Sequence, residues 1–198
     1  LSNLSNMEVG CANGSGGTVN VRCQDIYVMV DYTPTGTAPT PTPIARWTMD
    51  TNTVSGANLA DTIGNLDGTM AGSPTTGTAT LFKGGGQSIT FNGSTQWVDV
   101  STTTTGSLIY MPSRHEITLS AWVRPDQFQF TSPFIMNVAG IDPANGGSQY
   151  FIRIGDASPG PNKVQWVVRQ GSEQKVQSTV NLATSTVYHL VGTWDGTT

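Results

Sequence analysis

The sequence predicts an all-β chain, an antiparallel jelly-roll sandwich preceded by a short β segment and a Pro/Thr-rich linker. Apolar clusters recur at strand length and none has helical spacing. Turn formers punctuate them, with 23 Gly and 11 Pro among 198 residues. Charged residues make up 11%, against about 25% in an ordinary soluble domain. Thr, Ser, Asn and Gln take their place. The chain can still fill a core, because 36% of it is apolar, including 5 Trp, 6 Phe and 5 Tyr.

In residues 1–32, Met7, Val9 and Cys11 alternate on one face and Val19, Val21 and Cys23 on another. The Gly-rich stretch Asn13 to Gly17 separates them, which predicts a β-hairpin. From Ile26 the apolar phase moves to even positions, Ile26, Val28, Val30 and Tyr32. A change of parity inside one strand predicts a bulge near Gln24. This segment reads as the closing strands of an upstream β domain.

Residues 33–43 alternate Thr, Pro, Ala and Gly. Proline removes backbone donors and fixes φ, so the stretch reads as a semi-rigid linker and a domain boundary. A strap laid on a neighbouring subunit is the alternative.

Residues 44–198 then carry the sandwich. Strands are expected at 44–49, 81–82, 88–91, 97–100, 117–123, 134–138, 150–154, 164–168, 176–180 and 187–194. Asn92-Gly93, Asp67-Gly68, Gly146-Gly147 and Asp195-Gly196 mark tight turns between them. In 117–123 the odd residues Ile117, Leu119, Ala121 and Val123 point one way, and Trp122 lies on the other face, where it can fill space between sheet and loops. Trp47, Trp122, Trp166 and Trp194 are mainly core candidates.

Five segments in order extend this reading: Ile44 to Asp50, Ala60 to Thr69, Ser88 to Gly93, Ile117 to Pro125 and Tyr188 to Gly196. Together they resemble the laminin-G-like, concanavalin A-like jelly-roll domain of lectins and glucanases. The resemblance implies two curved antiparallel sheets and further strands after Asp195-Gly196. The natural polypeptide is therefore expected to continue in both directions, or to receive strands from neighbouring subunits.

Some glycosidases of this fold set two glutamates around an aspartate on one strand. Glu8, Glu116 and Glu173 have no acidic neighbour two residues away, so no catalytic residues are expected. No Gly-x-Ser-x-Gly elbow is present, and His115 and His189 are the two histidines. His189 reads as a structural histidine within a strand and His115 as a solvated one.

The resemblance also implies a calcium ion, with Asp50, Asp61, Asn65 and Asp67 as candidate ligands, since loop oxygens suit a hard cation. Turn capping by Asp61 and Asp67 is the plainer alternative. For glycan binding, Phe128, Phe130, Gln149 and Tyr150 are the candidates, together with Gln165-Trp166, because they set rings beside neutral amides. Packing of Phe128 and Phe130 onto the sandwich competes with that role.

Nine Lys and Arg against thirteen Asp and Glu leave a net charge of −4, which argues against a nucleic-acid partner. No apolar run is long enough to cross a bilayer as a helix, and no signal peptide is legible at the start. The two cysteines, Cys11 and Cys23, are too few for a four-ligand zinc site. A bridge between them and a pair of buried thiols both fit the spacing.

The leading functional expectation is a non-catalytic recognition module, extracellular or on a virion surface, that binds a glycan or a protein partner on a cell surface. Its rival is a structural assembly subunit of a phage particle, tail fibre or cell-surface filament, which self-assembles or docks on neighbouring subunits.

Overall fold

The computed structural model describes residues 7–13, 21–29, 42–100, 116–128, 136–141, 149–156, 160–170 and 172–196. The first strands are β1 (Met7–Asn13), β2 (Val21–Met29), β3 (Pro43–Trp47), β4 (Val54–Ser55) and β5 (Asn58–Leu59). They continue with β6 (Gly68–Ala71), β7 (Thr75–Thr78), β8 (Ser88–Phe91), β9 (Trp97–Val100) and β10 (Ile117–Pro125). The last are β11 (Met136–Ile141), β12 (Gln149–Asp156), β13 (Gly160–Gln170), β14 (Ser172–Gln177) and β15 (Tyr188–Trp194). One 3-10 turn, Thr51–Thr53, is the sole helical element among the described residues. No helix there is long and apolar enough to cross a membrane.

The strands form two antiparallel sheets. The larger runs β14-β13-β12-β11-β1-β9-β6-β5-β4, and the smaller runs β15-β10-β2-β8-β7 with β3 also paired to β2. The expected sandwich is therefore present. Its core holds Trp47, Phe91, Ile26, Ile89, Leu119 and Tyr150, all fully buried. In β10 the odd residues Ile117, Leu119, Ala121 and Val123 enter this core while Thr118, Trp122 and Arg124 face outward. A period of two with one apolar face is what fixes such a strand's register. Burying each large apolar side chain contributes about 2 kcal/mol. Trp47 also donates its indole N–H to the Leu66 carbonyl at 2.8 Å, so its polar atom is satisfied in the interior.

The described residues of the N-terminal segment, 7–13 and 21–29, lie within the sandwich, because β1 and β2 are inner strands of its two sheets. β1 lies between β11 and β9, and β2 pairs with β10 on one side and with β8 and β3 on the other. β1 and β2 do not form the expected hairpin, since they belong to opposite sheets. The Pro/Thr stretch thus joins two strands that pair directly, with Ile26 opposite Trp47, and Pro43 of the expected linker already opens β3. The bulge expected near Gln24 is present: Ala121 pairs with Ile26 and Trp122 with Gln24, so Asp25 is skipped.

Cys23 is fully buried and disulfide-bonded, and Cys11 is the other cysteine of the sequence. Their strands lie in different layers, so the bond fastens one sheet to the other.

Asn92-Gly93 is a turn, with Gly93 at φ 65° and Asn92 Oδ1 accepting the amides of Ser94 and Thr95, each at 3.0 Å. It is not a hairpin, because β8 and β9 lie in opposite sheets. Leu81-Phe82, expected as a strand, is a bend between β7 and β8. The short strands β4 to β7 were not expected. They carry too few alternating apolar residues to register as a period. Gly146-Gly147 and His115 lie outside the described residues.

Candidate functional site

The outward face of the smaller sheet carries an aromatic row. β15 pairs with β10 so that His189 stands opposite Trp122 and Val191 opposite Ser120. In β15, Leu190 and Gly192 are buried while His189, Val191 and Thr193 are exposed. Gly192 is required there, because a Cβ would lie 2.3 Å from the Trp166 ring.

The Trp122 and His189 rings stack with centroids 4.6 Å apart and planes 13° from parallel. Phe82 also packs against Trp122, with centroids 4.5 Å apart and planes tilted by 37°. Phe82 is held in its bend by Thr80, whose Oγ1 donates to the Phe82 carbonyl at 2.7 Å. The Gly85 amide donates to the same carbonyl at 3.1 Å and closes the bend that carries the ring. Ser120 Oγ and His189 Nε2 are 2.7 Å apart, which fixes the imidazole in its stack. Beside the row, Arg124 pairs with Asp126 at 3.0 Å, while the register sets Arg22 opposite Arg124 and the exposed Lys83 follows Phe82. The result is a surface of ring edges, an imidazole and hydroxyls with basic residues at its border.

A Ser–His contact of this length is also the first half of a nucleophile–base pair. Ser120 is only 5% exposed, and among the described residues no carboxylate bonds to His189. The pair lacks the orienting acid and the access that acyl transfer needs.

The residues expected to bind glycan are not gathered into a site. Tyr150 is fully buried and Phe128 is 8% exposed, so both rings pack in the core instead of presenting a face. Burial pushes the Tyr150 phenol far above its usual range. Phe130 and the Gln149 side chain lie outside the described residues. Gln165 is fully buried, accepting from Arg153 Nε at 2.6 Å and donating to Gln177 at 3.1 Å. Trp166 spends its indole N–H on the Thr193 carbonyl at 2.9 Å. Near that network, burial alone would raise Glu173, but the hydrogen bond from Arg169 and the charges of Arg169, Arg153 and Lys175 hold its carboxyl below the usual range.

The expected calcium ligands serve the backbone. Asp61 is 8% exposed and accepts the amides of Arg46 at 2.9 Å, Ile63 at 3.0 Å and Leu66 at 3.2 Å. Asp67 accepts the Asp61 amide at 2.9 Å and the Asn58 side chain at 3.3 Å. Asp50 accepts the Gln87 amide from a different loop, and Asn65 is exposed. Converging N–H donors occupy lone pairs of Asp61 that a cation would need. Among the described residues no three His, Cys, Asp or Glu side chains are grouped to hold a metal ion. These residues do not fit a calcium site.

A family model described as the concanavalin A-like lectin/glucanases superfamily, of laminin-G type, matches residues 92–198. The chain belongs to this superfamily. The matched region contains Ser120, Trp122 and His189, while Phe82 lies before it. No curated protein and no solved structure matches the chain. Superfamily membership agrees with the two antiparallel sheets and with a module that binds carbohydrate or another partner.

The aromatic row was missed by sequence reasoning because Phe82, Trp122 and His189 are distant from one another in the chain and only strand pairing brings them together. One signal was available: the outward parity of Trp122 against the apolar odd positions of its strand.

Proposed function

We propose that this chain is a non-catalytic recognition module that binds neutral glycan at the outward face of its smaller sheet, around Phe82, Trp122 and His189. The observation that carries the proposal is the packing of Phe82 on the stacked Trp122–His189 pair on the outward sheet face, outside the core, with His189 exposed. Sugars present apolar C–H faces beside hydroxyls, so they suit ring surfaces flanked by neutral hydrogen-bonding groups. Thr118 and Thr193 supply hydroxyls on this face, and the Arg124–Asp126 pair adds no net charge. The low charge of the whole chain supports a neutral ligand over an acidic one. An extracellular or virion-surface setting is supported by the buried disulfide at Cys23, because such bonds persist in oxidising surroundings. The test is a glycan array with the intact chain beside its His189→Ala variant. Binding to neutral glycans that His189→Ala weakens by about tenfold, the loss of roughly one stacking contact, is expected. Equal binding by both would overturn the assignment.

A structural assembly role has one observation in its favour. Among the described residues β15 lies at the end of its sheet and carries no charged residue, and its Val191 is 51% exposed. An edge of the larger sheet, β14, carries Glu173 and Lys175, the kind of charge that discourages strand pairing. If β15 docks on a neighbouring subunit, sedimentation will find concentration-dependent oligomers that Val191→Lys abolishes. A monomer at all concentrations would end this alternative.

A further inference from the structure

β1 lies near the middle of the larger sheet. On one side, five described residue pairs connect it to β11. On the other, the described pairs that connect it to β9 are Met7 with Val100 and Glu8 with Asp99. The second of these sets two acidic residues directly opposite each other. Directly opposed like charges on neighbouring strands destabilise the pair.

We propose that the Glu8–Asp99 register pair makes the β1–β9 seam a pH-sensitive joint, which tightens on protonation and loosens as both acids ionise. Val98 and Val100 are fully buried in the core, so Asp99 lies on the outward face of β9. Its Oδ1 is buried with no hydrogen-bond partner. An ionised oxygen in that position has neither water nor a donor to stabilise it. Desolvation accordingly raises the Asp99 carboxyl above its usual range.

Among the described residues, the register neighbours of Asp99 and Glu8 offer no compensating cation. On β9's other side the partner of Asp99 is Thr69, and Asn58 pairs beyond it. Asp67, just before β6, adds a further acid at that end. Glu8 is followed across β1 by Gly140 and then Phe151. The first basic residues among the described ones on that side are Arg153 and Arg169, whose guanidinium groups flank the Phe151 ring.

A group whose folded-state pKa is raised stabilises the fold fully below its unfolded pKa, and that contribution is lost as pH rises through the folded value. The joint is thus firmest in mild acid and weakest at neutral and alkaline pH. Other carboxylates act in the opposite sense, Glu173 among them, so the joint must be read as a difference between variants.

Thermal melts of the intact chain, of Asp99→Asn, of Glu8→Gln and of the double variant, from pH 4.5 to 8.5, test this. Each single variant is expected to melt roughly 2–4 °C above the unchanged chain at pH 8, the shift of about one modest interaction in a domain of this size. The gain should shrink towards pH 4.5, and the two gains should not add. Single variants that melt no higher at pH 8, gains independent of pH, or fully additive gains would overturn the proposal. Failure of Asp99→Asn to fold would also overturn it, because this substitution removes the charge that the joint is proposed to resent; Glu8→Gln then repeats the test from the other side of the seam.

Discussion

Trp122 and His189 stack nearly parallel, 4.6 Å between ring centroids, from directly opposed positions on β10 and β15. Both residues could have satisfied their apolar surface by burial, yet the strand parity turns them outward. Such a pair contributes about 1 kcal/mol beyond its buried area, and it holds the imidazole in one orientation. His189→Ala should therefore cost about 1 kcal/mol of stability while leaving the fold intact, as read by thermal melting and circular dichroism. A loss of several times that amount would mean that His189 supports the fold more than a surface.

The bond at Cys23 closes a loop of 13 residues counted from Cys11 to Cys23 inclusive. Closing a loop of that length stabilises by about 3 kcal/mol in the chain-entropy account. Reduction should lower the melting temperature by roughly 6–12 °C for a domain of this size. Intact mass after alkylation without reductant should show no modified cysteine. Two alkylated thiols under those conditions would contradict the bridge.

Gly93 sits at φ 65° between the sheets. Gly93→Val should destabilise by at least about 1 kcal/mol, because a β-branched side chain resists positive φ. An unchanged unfolding midpoint in denaturant would show that the crossover relaxes without strain.

Asp61 gathers three backbone amides from two chain segments. Asp61→Ala leaves those donors unpaired in a nearly buried position and should cost about 3 kcal/mol. Asp61→Asn should recover part of the loss, since its amide oxygen still accepts. If capping is the whole role of Asp61, chelator will leave the melting temperature unchanged. A stabilising shift on adding calcium would restore the metal expectation.

The fold was legible where periodicity is local. β10 and β15 carry their core residues at every second position, and the parity change at Ile26 marked the skipped Asp25. The sheet in which each strand lies was not legible. β1 reaches its partners in β9 and β11 across long stretches of chain, as in Glu8 with Asp99 and Met7 with Ile141, and nothing in its alternation encodes them. The Pro/Thr stretch misled for a related reason. Its composition excludes central pairing, but it permits a connection that brings β2 and β3 side by side. In the site, burial decided what residue type could not: Phe128 and Tyr150 are as aromatic as Trp122, but they fall on the core face.

The most direct test of the central claim is to follow the tryptophan indole N–H signals by NMR while titrating the intact, isotopically labelled chain with the neutral glycan that binds best on an array. The Trp122 signal should shift saturably with the ligand, the His189 ring signals should move with it, and the buried Trp47 indole should stay in place. Saturable binding that leaves Trp122 and His189 unmoved would contradict the assignment of the ligand to this face.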